Sequence, residues 1–464
     1  MSDKPITIVI SDLHVGGGKK DLGDDHVYQT QELVRFLDAI PEAGEGKVEF
    51  FINGDFLEFA QVLPDAFKPD SPDFWCTQDE SKAKLDAIID GHDDIFKALG
   101  SFQGKGNQVT LAAGNHDVDL YWPAVQERLR EAIHKNIKFE LGEDVYFRYG
   151  SRLVIGHGHM YDPANRFKNW KDPIDKKHQR LEMCPGTLFM VKFVNWLETK
   201  YSFSDNVKPV TALGRLLWNE QRKDFKAGAK ILFQLIYENP LTALAVKSTE
   251  LPKGVARVLR VELANNEIFQ TEMTDLYHRI RDPKASTQMV LDDLSSHTRV
   301  TEFLKELFVK LNPEDWLPVL GEYEAAMLGG DDPTTLAVLR AGMSKDKQTL
   351  REEAINYLAM ESGSYEVVVF GHTHQPDEWR GSSGTWDGGY FNPGSWTRYV
   401  DLDKVKNLTM KDLEKEEDFP YQLNFIRIEQ SQSGKLRADK ICFEEAAGER
   451  FAPTPKPTKY LQKV

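Results

Sequence analysis

Five short segments of the chain combine histidine, aspartate or asparagine with a neighbouring glycine or serine. In sequence order they are Asp12-Leu13-His14, Gly54-Asp55, Gly114-Asn115-His116-Asp117, Gly156-His157 and Gly371-His372-Thr373-His374. Imidazole nitrogens together with carboxylate and amide oxygens, and without thiolates, suit Mn, Fe, Zn or Ni better than copper(I) or an iron–sulfur cluster. The segments therefore predict a divalent metal site.

Each of these segments follows a short apolar run that is typical of a buried strand. The predicted strands are Ile6–Ile10, Val48–Ile52, Val109–Ala113, Arg152–Ile155 and Glu366–Phe370. In α/β sheets, ligands bind just beyond the carboxyl ends of strands. If the strand geometry continues, Asp12 and His14 project to one side, as do His372 and His374. The pattern predicts that the candidate ligands gather at one edge of the sheets.

Helical patterns separate these strands in the first third of the chain. Helices are predicted at His26–Ile40, Asp79–Phe102 and Trp122–Ala132, and Val145–Tyr149 is predicted to form a hairpin with the strand that starts at Arg152. From Asp162 to Tyr365 the sequence is rich in helical patterns and has few strand signals. We predict that this middle region is an inserted helical subdomain or lid.

The five segments resemble, in order, the motifs D-x-H, G-D, G-N-H-D/E, G-H and G-H-x-H of the calcineurin-like metallophosphoesterase superfamily. Any one of these motifs occurs by chance in many long proteins, whereas the ordered set at strand ends is specific. The resemblance covers about residues 5–160 and 366–430. It implies an α/β fold, namely a four-layer αββα sandwich of two mixed β-sheets, here with a large helical insertion.

The resemblance also implies a site with two divalent metal ions, with manganese favoured and iron, zinc or nickel as alternatives. The first ion would be held by Asp12, His14 and His374, the second by Asn115, His157 and His372, and Asp55 would bridge both. A hydroxide between the metals would attack phosphorus. His116 would act as general acid for the leaving group, with Asp117 orienting its ring.

A second likeness concerns the stretch Gly389–Trp396, which contains Asn392-Pro393-Gly394-Ser395-Trp396. Similar segments occur in bacterial UDP-2,3-diacylglucosamine hydrolases, to which the chain is distantly similar. These enzymes cleave a pyrophosphate next to an acylated sugar and insert a helical lid between the last two metal motifs.

An arginine near the site can clamp a phosphate with two hydrogen bonds. Arg166 is the predicted substrate contact, with a structural salt bridge as the alternative.

The composition of the chain limits which cellular locations and binding partners are expected. The formal net charge is −15, which opposes non-specific binding to nucleic acid without excluding a local basic groove. Three widely spaced cysteines favour reduced thiols and a cytoplasmic location. Neither a signal-peptide pattern nor a stretch of about 20 apolar residues is present, so we expect no transmembrane segment. Peripheral membrane contact through the aromatic residues of the insertion stays open, and the oligomeric state is not indicated.

The predicted organisation is a metallophosphoesterase core in two parts, residues 1–162 and 366–450, separated by an insertion at 163–365 and followed by a tail at 451–464. The predicted function is hydrolysis of a phosphodiester or pyrophosphate bond in a nucleotide or lipid-linked substrate. Two alternatives stay open. One is a nuclease of the same fold, which the acidic balance disfavours, and the other is a binding scaffold without chemistry, which the intact ligand set disfavours.

Overall fold

The structure is a computed structural model of the whole chain. It describes residues 6–18, 30–40, 42–62, 76–162, 165–184, 186–187, 190–198, 200–204, 206–208, 220, 266–269, 271–272, 299, 346–360, 365–383, 386–401, 409–414 and 419–446. Most of the predicted helical insertion and the predicted C-terminal tail lie outside these residues, so both stay predictions.

The first large sheet has six strands in the order β15-β14-β1-β2-β3-β4. These are β1 Ile6–Ile10, β2 Val48–Asn53, β3 Gln108–Ala112, β4 Lys138–Glu140, β14 Tyr421–Gln430 and β15 Leu436–Ala446. The strands β1 to β4 run parallel, while β14 pairs antiparallel with both β1 and β15. The carboxyl ends of β1, β2 and β3 consequently lie side by side.

The second large sheet has five strands in the order β11-β12-β10-β6-β5. These are β5 Tyr146–Arg148, β6 Leu153–Ile155, β10 Val367–Val369, β11 Asp377–Ser383 and β12 Trp386–Asn392. The central strand β10 is parallel to β6 and β12, and the predicted hairpin of β5 and β6 is present. Two small sheets pair β7 Ile174–Asp175 with β8 Arg180–Leu181, and β9 Val207–Lys208 with β13 Val400–Asp401.

The two large sheets pack face to face through alternate side chains of their strands. Val9 and Phe51 of the first sheet share a buried cluster with Ile155, Val369 and Phe391 of the second. Because these strands are covered on both faces, their sequences read as continuous apolar runs, as expected of strands buried on both sides.

Helices cover the outer face of each large sheet. The helices α1 Thr30–Ala39, α2 Gln78–Gly91, α3 Asp93–Gly104 and α4 Pro123–Ala132 pack on the first sheet, and the helix Asp346–Leu358 packs on the second. Short helical segments lie at Val118–Tyr121, His159–Tyr161, Met190–Val194, Asn195–Glu198 and Met410–Glu414. The predicted four-layer αββα sandwich of two mixed sheets is therefore confirmed.

The structure interrupts one of the predicted helices, and residues 26–29 at the start of another lie outside the described residues. The single helical stretch predicted at Asp79–Phe102 is two helices, because the backbone breaks at His92, whose N–H bonds the carbonyls of Ile88 and Ile89. The apolar period of 3.6 residues continues across this break, which hides it from the sequence pattern. Within the described residues, no helix is both long enough and apolar enough to cross a bilayer.

Phe51→Ala tests the packing between the two sheets. Phe51 is fully buried, so we expect its truncation to lower the free energy of unfolding by about 3–5 kcal/mol, the usual cost of such a cavity. Phe147→Ala in β5 is the matched control, since Phe147 is 42% exposed and should cost less than about 1 kcal/mol. Urea titration of the two variants would contradict this packing if their midpoints shifted equally.

Candidate metal centre

The candidate ligands lie at the carboxyl ends of strands in both large sheets. Asp12 and His14 follow β1, Asp55 follows β2, and Asn115 follows β3 of the first sheet. In the second sheet, His157 follows β6, and both His372 and His374 follow β10. Since the sheets pack face to face, these ends meet at one edge of the sandwich. Two hydrogen bonds, between His14 and His374 and between His372 and Asp12, each join members of the set that are 360 positions apart in sequence.

The backbone at these strand ends turns through the left-handed region. Positive φ angles occur at eight described residues other than glycine, and five of them are candidate ligands. The five are Asp12 (54°), His14 (46°), Asp55 (50°), His372 (68°) and His374 (58°). The extended geometry expected after β1 and β10 therefore does not continue. Such angles are costly outside glycine and concentrate at functional sites, where the surrounding fold enforces them.

The first group of possible ligand atoms comes from Asp12, His14, Asp55 and His374, all within 4.8 Å of one another. The Nε2 atom of His14 lies 3.0 Å from Nε2 of His374 and 3.8 Å from Oδ2 of Asp55. Oδ1 of Asp12 lies 3.6 Å from Nε2 of His374. Burial lowers the pKa of His14 and raises that of Asp12, because both charged forms lose their hydration.

The second group joins Asp55 to His157 and His372, again within 4.8 Å. The Nε2 atom of His157 lies 3.0 Å from Oδ2 of Asp55, and its Nδ1 atom bonds the carbonyl oxygen of Asn53 at 2.8 Å. Burial opposes protonation of His157, but the carboxylate of Asp55 outweighs it and raises the pKa of His157 to about 10. The carboxylate of Asp55 therefore favours the protonated form of the His157 imidazole.

Asp55 belongs to both groups and is 1% exposed. Its Oδ1 atom accepts the backbone N–H of His116 at 2.9 Å, while Oδ2 faces the histidines. Burial alone would raise the pKa of Asp55, but His157, His116 and His14 together hold it well below its usual value. A buried carboxylate that stays ionised among imidazoles would be stabilised by a bound cation.

Asn115 provides an independent test of whether a cation fits. Its Oδ1 atom is buried and makes no hydrogen bond within the described residues, although buried polar atoms nearly always have a partner. Its Nδ2 atom donates to Oδ1 of Asn165 at 3.3 Å, which leaves the oxygen as the end without a partner. An amide oxygen is a usual ligand of divalent metals, as are carboxylates and imidazoles, so the residues present fit such ions.

Glu58 is the functional residue that the sequence reasoning did not assign. Its fully buried carboxylate accepts from Nδ1 of His14 at 2.7 Å and contacts Nδ1 of His116 at 2.7 and 2.9 Å. Burial would raise the pKa of Glu58, but His116 and His14 together hold it well below its usual range. The sequence offered only the spacing of Glu58, three positions after Asp55, as a sign of this role. Acidic residues with this spacing are too common to predict a function.

The prediction that Asp117 orients the ring of His116 is wrong in this structure, because Glu58 occupies that position. The Asp117 carboxylate instead accepts the backbone N–H groups of Gly114 at 2.6 Å, Phe56 at 2.8 Å and Asp55 at 3.3 Å. Burial and the nearby Asp55 carboxylate raise the pKa of Asp117 to about 7. Asp117 thus ties the turn after β2 to the turn after β3.

Arg166 makes contacts away from the two ligand groups. Its Nε atom donates to the carbonyl of Met160 at 2.8 Å, its side chain is exposed, and its charge acts on Asp144. None of its described contacts involves a candidate metal ligand. Its assignment to substrate binding therefore stays a prediction.

Residues 7–233 of the chain match the family model for calcineurin-like phosphoesterases. No curated protein matches the chain significantly, so the similarity to UDP-2,3-diacylglucosamine hydrolases stays a prediction. The chain belongs to the calcineurin-like phosphoesterases. Family membership and the buried group of histidines and carboxylates together indicate divalent metal ions.

Gly54→Ala tests the close packing of backbone on ligand at this site. A Cβ atom at Gly54 would meet the His157 ring, so we expect the ring to move and divalent metal binding to weaken at least tenfold. Gly150→Ala is the matched control, because Gly150 also has a positive φ (64°) but its Cβ would meet nothing within 4 Å. Isothermal titration with Mn²⁺ should separate the two variants, and equal affinities would contradict the role of this contact.

Proposed function

We propose that the protein is a dinuclear metal-dependent hydrolase of phosphodiester or pyrophosphate bonds. The proposal rests mainly on the carboxylate of Asp55, which lies in both groups of possible ligand atoms. Asp12, His14 and His374 would hold one cation beside Asp55, and Asn115, His157 and His372 would hold the other. Two cations that share one carboxylate are the usual arrangement of phosphoryl-transfer sites.

When bound, the two cations activate a water molecule as nucleophile and neutralise charge on the phosphoryl oxygens. We propose manganese as the native metal. The donor set of imidazole nitrogens with carboxylate and amide oxygens suits manganese, iron, zinc and nickel alike. Elemental analysis of the purified protein is the measurement that distinguishes these metals.

His116 is the proposed general acid. Its Nδ1 atom is held by Glu58, so the proton given to a leaving group would come from Nε2. Its side chain is 14% exposed, whereas the side chains of Glu58 and Asp55 are essentially inaccessible, so His116 reaches the solvent edge of the site. The Glu58 carboxylate stabilises the protonated ring and fixes its orientation, and the ring then gives its Nε2 proton to the leaving oxygen.

A substrate with a poor leaving group has the greatest use for such an acid. Alkoxide and phosphate leaving groups of diesters and pyrophosphates must be protonated or neutralised as the bond breaks, whereas nitrophenolate leaves without help. For this reason we propose a diester or pyrophosphate rather than an activated ester as the physiological class, in a nucleotide or lipid-linked compound.

Asp55→Asn should abolish binding of at least one of the two cations and most of the activity, because the shared negative charge is lost. Asp119→Asn is the control, since Asp119 is also buried but lies outside both ligand groups and bonds Ser81. Metal content by mass spectrometry and hydrolysis of bis(p-nitrophenyl) phosphate would be measured. Full activity and two bound ions in Asp55→Asn would overturn the dinuclear assignment.

His116→Ala should keep both metal ions but lower kcat on an alkyl phosphodiester by roughly 10²–10⁴, the usual worth of general acid catalysis. The loss should be much smaller on a nitrophenyl diester, whose leaving group needs no proton. His178→Ala is the control, since His178 is an exposed histidine bonded to Asp175. Equal losses on the two substrates would remove His116 from the role of acid.

A further inference from the structure

Three histidines of the site share one pattern of hydrogen bonding. In each ring, one nitrogen bonds an oxygen that belongs to neither of the two groups containing Asp55. The oxygens belong to Glu58 for His14, to the backbone carbonyl of Asn53 for His157, and to Asp162 for His372. Such outer partners fix the tautomer and orientation of a metal-binding histidine.

Asp162 is the member of this pattern that no motif includes. Its Oδ2 atom lies 3.1 Å from Nε2 of His372, and both side chains are 6% exposed. With Nε2 engaged as a donor to the carboxylate, Nδ1 of His372 keeps its lone pair for a cation. Asp162 thus supports His372 from a different loop of the second sheet.

Asn165 extends this contact to another candidate ligand. Its Nδ2 atom donates to Oδ2 of Asp162, and its Oδ1 atom accepts from Nδ2 of Asn115 at 3.3 Å. The second bond decides which end of the Asn115 amide points inward. Because the nitrogen is held by Asn165, the buried oxygen of Asn115 is the end left for a cation.

The backbone holds this pair close to His157. The segment His159–Tyr161 forms one helical turn after β6, the N–H of Asp162 bonds the carbonyl of His159 at 3.0 Å, and the N–H of Asn165 bonds the carbonyl of Asp162 at 3.1 Å. The loop after β6 therefore carries His157, a candidate ligand of the second cation. It also carries Asp162 and Asn165, which bond the other two candidate ligands.

We propose that Asp162 and Asn165 are a positioning pair that sets the second metal site, Asp162 through the tautomer of His372 and Asn165 through the amide orientation of Asn115. This inference rests on the proposed dinuclear function. It assigns to the pair a selective effect on one of two neighbouring cations, since the two ligands that the pair bonds, His372 and Asn115, both belong to the proposed second site.

Calorimetric titration of the metal-free protein with Mn²⁺ tests the pair. We expect two binding events in the parent protein. Asp162→Ala should weaken one event by roughly 10–100-fold and leave the other unchanged. Asp162→Asn keeps an oxygen acceptor for Nε2 and should recover part of the loss. Asn165→Ala should weaken the same event, and the double variant should lose less than the sum, because the two residues act in one chain.

Absorption spectra and a control variant distinguish a positioning role from a general effect on folding. In the Co²⁺-loaded protein, Asp162→Ala should change the visible absorption of one of the two ions only. Asp412→Ala is the control for loss of a buried carboxylate, since Asp412 is 8% exposed and bonds Thr409 outside both ligand groups. This variant should keep both binding events.

Three outcomes would overturn the inference in different ways. If the parent protein binds two ions and Asp162→Ala and Asn165→Ala bind both with unchanged affinity, the pair has no positioning role and the proposed function stands. If the parent protein binds fewer than two divalent ions, the dinuclear function fails and the inference fails with it. Equal weakening of both events in Asp162→Ala would show a general structural effect and also exclude the proposed selectivity.

Discussion

The buried negative charge of Asp55 is the constraint on which the site depends. A carboxylate at 1% exposure loses nearly all of its hydration, which would favour the neutral acid unless positive charge or donors compensate. In this protein the backbone N–H of His116 and the imidazoles of His14 and His157 provide that compensation. The same arrangement suits divalent cations, which would supply positive charge beside Asp55 and would need the histidines as neutral ligands.

The sandwich can enclose this charge because its two sheets end at one edge. The parallel register of β1, β2 and β3 aligns the residues that follow them, and the parallel pairing of β6 with β10 places His157 beside His372. The left-handed turns at Asp12, His14, Asp55, His372 and His374 then fold the side chains back onto one another. Each such turn costs of order 1–3 kcal/mol, which the buried cores on both faces of the sheets must offset.

The strands and the ordered motifs were predictable from the sequence because the apolar runs and the glycines that end them are local signals. The four layers were implied by the family resemblance. The role of Glu58 and the contact between Asp162 and His372 were not predictable, because they join residues 44 to 210 positions apart through geometry that no periodicity encodes. Asp117 was misassigned for the same reason, since adjacency in sequence does not place its carboxylate beside the ring of His116.

The last motif shows how the site tolerates a long intervening sequence. The family match ends at residue 233, yet His374 and His372 each join a group of possible ligands with residues from within the matched range. The reason is that β10 is a central strand of the second sheet, paired with β6 through Val367–Leu153 and Val369–Ile155. Since the cost of closing a loop grows only logarithmically with its length, a long segment between β6 and β10 is compatible with this pairing. The sheet register, rather than the length of chain that precedes it, determines where His372 and His374 lie.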